Sequence, residues 1–206
     1  MAANKKQQIV TPRATAVYPW LNTPDTKFNS DGEYKVTLKI GSEDAAPLME
    51  KIDQVISEYK QEQSGKDPKV GRYSDMPPYE EEVDDQGNLT GNILFKFKQK
   101  AKIHTKDGRT IDMKVALYDA QRTPTDVMIG GGSEIKVAAT LWPYVLPTTK
   151  SVGVSLRPSA VQVLSLVSVG GSKMADLFDS EDGFVASNAN AAPAVDDEED
   201  VDAADF

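Results

Sequence analysis

The nine residues Phe95–Ile103, FKFKQKAKI, constrain this chain more than any other segment. Phe95, Phe97, Ala101 and Ile103 fall on one side of an extended backbone, and Lys96, Lys98, Lys100 and Lys102 on the other. Side chains of a strand alternate between its two faces, so the run predicts a strand with its apolar face on a core and a cationic face in water. Lys106-Asp107-Gly108 then predicts a three-residue hairpin loop with Gly108 in the left-handed conformation. That register sets Ile103 against Ile111, Ala101 against Met113 and Phe97 against Leu117 inside. Outside it sets Lys102 against Asp112, Lys100 against Lys114 and Lys96 against Tyr118. A two-residue Asp-Gly turn would place Ile103 opposite Asp112, so the hydrophobic pattern selects the longer loop.

Similar alternation recurs elsewhere. In Tyr34–Ile40, Tyr34, Val36, Leu38 and Ile40 point one way and Lys35, Thr37 and Lys39 the other. In Ile135–Leu141, which follows the glycines 130–132, Lys136, Ala138, Thr140 and Trp142 point outward. Pro143 and Pro147 bracket Tyr144, and Pro158 interrupts the β-rich stretch Val152–Val169, where it demands an edge or a bulge. One helix is expected over 45–63, with Ser42 or Asp44 as its cap and Leu48, Ile52, Val55, Ile56 and Tyr59 as its apolar stripe. Residues 64–92, rich in Gly, Pro, Asp and Glu, read as a long mobile surface excursion. No repeat of 20 to 50 residues appears. One helix among short alternating strands predicts a mainly β fold, a five-stranded antiparallel barrel of the OB type, over residues 1–173.

Charge divides the chain. The net charge is −9, yet no Lys or Arg follows Lys173, while residues 174–206 carry eleven Asp and Glu. Gly91–Lys173 holds twelve Lys and Arg against five Asp and Glu. A basic body joined to a disordered acidic tail over 174–206 implies an anionic partner for the body and a regulatory or recruiting tail; a merely solvating tail is the alternative.

Enzyme chemistry lacks parts. The absence of cysteine removes thiolate nucleophiles, iron–sulfur centres and Cys-rich zinc sites, and the single histidine, His104, sits at a hairpin end. Gly130–Ser133 lacks the Gly-Lys-Ser/Thr of a phosphate loop, and Asp84, Asp85 and Gly87 lack the spacing of a calcium loop. No catalytic residue, metal or cofactor is expected. No apolar run approaches the roughly 18 residues of a membrane span, and Met1–Val10 has no apolar signal core, so a cytoplasmic protein with no membrane partner is expected.

The lysine stripe suits a polynucleotide. Lys96, Lys98 and Lys100 recur about 7 Å apart along a strand face, and cations with nearby aromatic rings hold phosphates and unpaired bases. Tyr118, Lys136, Trp142 and Tyr144 are candidates to adjoin them; whether Tyr118 faces the groove stays open, and Tyr18 and Trp20 fit either the core or the groove. Such a surface reads backbone and ring faces, so binding would be sequence-independent and would favour single strands. The competing reading is an ordinary solvated sheet face. The acidic tail, tethered through Asn188–Val195, would compete for the same cations, and its end, with Asp200, Asp202, Asp205 and Phe206, would contact a partner protein. An acidic adaptor or DNA mimic acting through the tail, with the barrel as scaffold, is the second hypothesis; a nuclease is a third.

FKFK at Phe95–Lys98, the GGGS before an alternating strand, the PY ending at Tyr144, NSDGEYKV at Asn29–Val36, DMP at Asp75–Pro77, GFVAS at Gly183–Ser187 and the acidic tail closing in Asp-Phe together resemble the single-stranded DNA-binding proteins of T7-like bacteriophages. The resemblance covers nearly the whole chain. It implies an OB-fold that coats single-stranded DNA in replication and recombination, a helix placed after two strands, tail contacts with DNA polymerase and helicase–primase, and a homodimer. By position it implies DNA contacts at Lys96, Lys98, Lys136 and Tyr144, and at a basic residue near the start, Lys5 or Lys6. Departures are Lys100 at a second stacking position, and Asp31, Glu134 and Ala138 at basic positions; Lys100, Lys102 and Trp142 are the local replacements.

Overall fold

A computed structural model describes residues 7–167 of the chain. Its elements in order are β1 (Gln7–Val10), β2 (Ala14–Asp25), β3 (Glu33–Gly41), α1 (Ser42–Ser64), a 3-10 turn (Val70–Arg72), β4 (Ser74–Met76), β5 (Tyr79–Val83), β6 (Leu89–Lys100), β7 (Lys102–His104), β8 (Thr110–Asp112), β9 (Ala116–Tyr118), β10 (Glu134–Leu146) and β11 (Ser151–Ser165).

Five of these strands form a ring. β2 pairs with β3, β3 with β6, β6 with β11, β11 with β10, and β10 returns to β2. The ring is uneven: β10 and β11 match over thirteen residue pairs, whereas β11 meets β6 only at Leu156 opposite Phe97, in parallel. This is a partly open barrel of the OB type, with β1, β4, β5 and β9 laid along its strands. The long hairpin and meander pairings are antiparallel, and the parallel ones all involve β11, with β4, β6 and β9.

Alternation fills the interior as the sequence dictates. Tyr34, Val36, Leu38 and Ile40 from β3, Phe95 and Phe97 from β6, and Ile135, Val137, Ala139 and Leu141 from β10 are all buried. Each such large side chain contributes about 1.5–3 kcal/mol on leaving water. α1 turns Leu48, Ile52, Val55 and Ile56 inward and packs on β3, β6, β10 and β11, four strands of the ring, so it stops one open end. Pro158 sits where the β10–β11 register slips between Ala138 and Ala139, the bulge its missing N–H requires.

Five expectations need correction. α1 starts at Ser42, not Ala45, and neither Ser42 nor Asp44 caps it; Gly41 holds the cap position without a side-chain hydrogen bond. The chain passes from β3 into the helix with no intervening loop, so Ser42 is already helical, and Glu43 and Asp44 instead favour the positive end of the helix dipole. Residues 64–92 are no excursion: β4 pairs with β11 and β5 with β6. The glutamates that make this stretch look like a loop face cations across the sheet, Glu80 against Lys96 and Glu82 against Lys39.

The hairpin keeps the expected register from His104–Thr110 through Lys102–Asp112, and the Met113 N–H donates to the Ala101 carbonyl at 2.7 Å. Gly108 has φ +80°. Beyond Met113 the expected partners Phe97–Leu117, Lys100–Lys114 and Lys96–Tyr118 do not form. β3 occupies one edge of β6, β5 and Leu156 occupy the other, and β9 pairs with Ala160–Gln162 of β11. The longer hairpin would also have set Lys100 directly against Lys114, an unfavourable like-charge pair. Ile103 and Ile111, expected inside, are exposed, because β7 and β8 make a separate two-stranded sheet.

Candidate nucleic-acid interface

The outer face of β3 and β6 is built by cross-strand register. Lys35 lies opposite Lys98, Thr37 opposite Lys96 and Glu33 opposite Lys100. Two facing lysines repel, and Asp25, at the end of β2, relieves the pair by bonding the Lys35 ammonium. That ammonium, with the Lys27 backbone N–H, holds the Asp25 carboxyl below the usual carboxylate range. Lys96 Nζ lies 2.9 Å from Glu80 Oε1, while Lys98 and Lys100 are exposed and have no ion pair among the described residues.

Over this face lies a cavity of about 580 Å³, lined by Lys27, Lys35, Lys96 and Lys98 together with Tyr18, Trp20 and Phe28. A second, of about 390 Å³, shares Glu33 and Lys98 with it and runs to the β11 side, bounded by Lys100, Ile103, Met113, Ser155 and Arg157. The Arg157 guanidinium lies 3.9 Å from the ring of Trp142, a cation–π stack that leads from this groove to β10.

Tyr144 follows two residues along β10, opposite Gly153. A Cβ at Gly153 would come within 2.8 Å of the Tyr144 hydroxyl oxygen and of the Met76 carbonyl oxygen, so only glycine lets the ring lie across the sheet there. Partial burial pushes the Tyr144 phenol pKa up.

The structure therefore gathers Lys96, Lys98 and Lys100 on one face and reaches Trp142 through Arg157. Lys136 stands apart: it faces Gln162 on the outer side of β10, six positions from Trp142, or roughly 20 Å along a strand. Tyr118 is half-buried beside Gln162 on β9 and lines neither cavity. Lys5, Asp200, Asp202, Asp205 and Phe206 lie outside the described residues. His104 is exposed and bonded to Thr110 Oγ1 and Asp31 Oδ2, both at 3.0 Å. Among the described residues no group of three His, Asp or Glu converges as a metal site, and no helix is long and apolar enough to cross a membrane.

Sequence reasoning missed Lys27 and Phe28 and did not place Tyr18 and Trp20. Lys35 was legible, since YKVTLKI alternates as FKFK does. A proline between two aromatics, Tyr18-Pro19-Trp20, was the available signal of a bulge.

Comparison with known proteins adds the relationship. A family model described as "Single-stranded DNA-binding protein, Bacteriophage T7" matches residues 13–166. The single-stranded DNA-binding protein of Escherichia phage T7 is 30% identical over 184 residues, covering 83% of this chain and 78% of that protein. Its counterpart from Enterobacteria phage T3 is 27% identical over 209 residues, covering 92% and 90%. The crystal structure of gp2.5, a single-stranded DNA-binding protein encoded by bacteriophage T7, superposes with a TM-score of 0.66 at 28% identity, over 88% of this chain and 100% of that one. A truncated single-stranded DNA-binding protein from bacteriophage Enc34 shares the fold, with a TM-score of 0.50 at 14% identity, over 77% and 85%. The chain belongs to the bacteriophage T7 single-stranded DNA-binding protein family.

Proposed function

We propose that this family member binds single-stranded DNA without sequence preference and acts by binding rather than by catalysis. Phosphates are held by Lys96, Lys98 and Lys100, with Lys5 and Lys136 as outlying cations, and bases stack on Trp142 and Tyr144. The observation that carries this reading is the exposed pair Lys98 and Lys100, without ion-pair partners among the described residues, on a groove edged by aromatic rings. Lysines that need surrender no carboxylate are the ones from which a polyanion gains most. Lysine and ring faces take the backbone and any base alike.

The tail completes the mechanism. Its eleven carboxylates and its terminal Phe206 make it a tethered rival for the groove, at an effective concentration of about millimolar. DNA displaces it, and Asp200, Asp202, Asp205 and Phe206 become available to the phage DNA polymerase and helicase–primase in the host cytoplasm. The same exchange between two chains accounts for a homodimer. The test is fluorescence anisotropy of a labelled dT oligonucleotide at two salt concentrations, with the full chain and with residues 189–206 removed. The shortened chain binds tighter at low salt and with a steeper salt dependence. Equal affinity at low salt removes tail competition, and no binding by either form leaves the acidic-adaptor reading.

A further inference from the structure

We propose that Tyr18, Trp20 and Phe28 form a stacking station for unpaired nucleobases at the β2 side of the groove, across Lys98 from Trp142. The proposal rests on the single-stranded DNA reading and adds a subsite to it. Its first support is a change of phase within β2. Ala14 and Ala16 are buried, so unbroken alternation would send Tyr18 and Trp20 into the core with them. Instead the ladder slips: Val17 faces Thr37, yet Trp20 faces Lys35, three steps on β2 against two on β3. The extra residue is a bulge, and it turns both rings outward and lets Leu21 resume the core at 2% exposure.

The slip carries backbone strain. Tyr18 has φ +49° and precedes Pro19, a left-handed conformation that a bulky side chain adopts at a cost. Were the bulge there only to fill the core, Leu21 would account for it without an aromatic on either side of the proline. What the strain achieves is exposure: Tyr18 is 81% exposed, Phe28 86% and Trp20 44%, all around one cavity. Large apolar rings gathered in the open mark a binding surface.

Charge selects the occupant. Lys27, Lys35, Lys96 and Lys98 surround the rings against Asp25 and Glu33, with Asp25 engaged by Lys35 and Lys96 by Glu80, which leaves Lys27 and Lys98 without ion pairs among the described residues. Ring faces interleaved with a net excess of ammonium groups suit a polyanion whose own rings are unpaired, which is single-stranded polynucleotide. A duplex hides those faces. The strand would then cross β2, β3, β6 and β11 from Trp20 to Trp142, with Lys98 at the crossing and Lys96 and Lys100 on either side of it.

The chain's two tryptophans, Trp20 and Trp142, mark the two ends and report them separately. In Trp142→Phe only Trp20 emits, and in Trp20→Phe only Trp142. Each full-length variant is titrated to saturation with fluorescein-labelled dT oligonucleotides, anisotropy and indole emission being read together, and with a duplex of equal length. Single-stranded oligonucleotide quenches Trp20, the duplex does not, and Tyr18→Ala and Phe28→Ala each weaken binding by about 5- to 150-fold. Phe28 is too exposed for its truncation to unfold the barrel. Saturated anisotropy with unchanged Trp20 emission overturns the station while leaving the single-stranded DNA reading intact, as does unchanged affinity in both alanine variants. Equal quenching by the duplex also overturns it. Absence of any anisotropy change overturns both.

Discussion

β11 has two very different edges. Toward β10 it is zipped over thirteen residue pairs, and toward β6 it touches at one, Leu156 with Phe97. Backbone pairing runs the whole length of the first edge; the second carries three-residue ladders to β4 and β9 at its ends and the single Leu156–Phe97 bridge between them. The groove that runs from Lys98 to Arg157 opens at the second. A barrel that leaves one seam unladdered gains a surface where side chains of two strands stand apart enough to admit a ligand. It also makes the core residue at that seam carry more of the stability.

The largest expected effect tests that last point. Phe97→Ala removes a ring with 1% exposure at the unladdered seam and should cost about 3–5 kcal/mol in chemical denaturation, at the upper end for a core truncation. Phe95→Ala, equally buried on the same strand but laddered on both sides, to β3 and to β5, should fall at the lower end of that range, about 3 kcal/mol. Equal losses would show that the ladder does not matter. Gly153→Ala sharpens the comparison from the zipped side. The new methyl meets the Tyr144 ring and the Met76 carbonyl, and should cost about 1–3 kcal/mol by overpacking, with the Tyr144 ring displaced.

Tyr79→Phe probes how β5 is tied down near the open seam. Its hydroxyl donates to both Asp53 oxygens of α1 at 2.8 Å, and the loss should be about 1 kcal/mol at neutral pH. Burial, then the Asp53 carboxylate, pushes the Tyr79 phenol up to about 12. An unfolded tyrosine ionises near pH 10. Between those values the folded chain holds the extra proton, so its stability is fully present below pH 10 and falls as pH rises toward 12. The phenylalanine variant should lack that alkaline decline in pH-dependent melting.

The smallest effect separates two neighbouring lysines. Lys98→Ala should lower the salt dependence of oligonucleotide binding by about 0.7, the share of one phosphate contact on a single strand. Lys96→Ala should lower it by less, because Glu80 already supplies its counter-charge. Identical slopes for the two would mean that the glutamate is no obstacle.

Alternation made the core strands legible, along with the hairpin register as far as Met113. It could not reveal which edges of β6 were already occupied, and so the extension to Leu117 fails. Composition misread 64–92, because a strand whose glutamates answer lysines across a sheet has the same residues as a solvated loop. Of the site, the lysines on strands were legible, whereas Lys27 and most of the rings were not. Trp142 obeys simple alternation, whereas Tyr18 and Trp20 depend on one inserted residue that reverses their direction, and Phe28 lies in a turn without periodicity.

The absence of any loop between β3 and α1 has a further consequence. β3, which carries Lys35 on the groove wall, runs directly into the helix that stops the barrel, so no loop lies between them to act as a hinge. On the proposed reading this wall is preorganised, and the ordering entropy of association falls on the ligand rather than on it. Encounter then needs no rearrangement of that wall, which favours rapid capture of a flexible polyanion as its segments emerge.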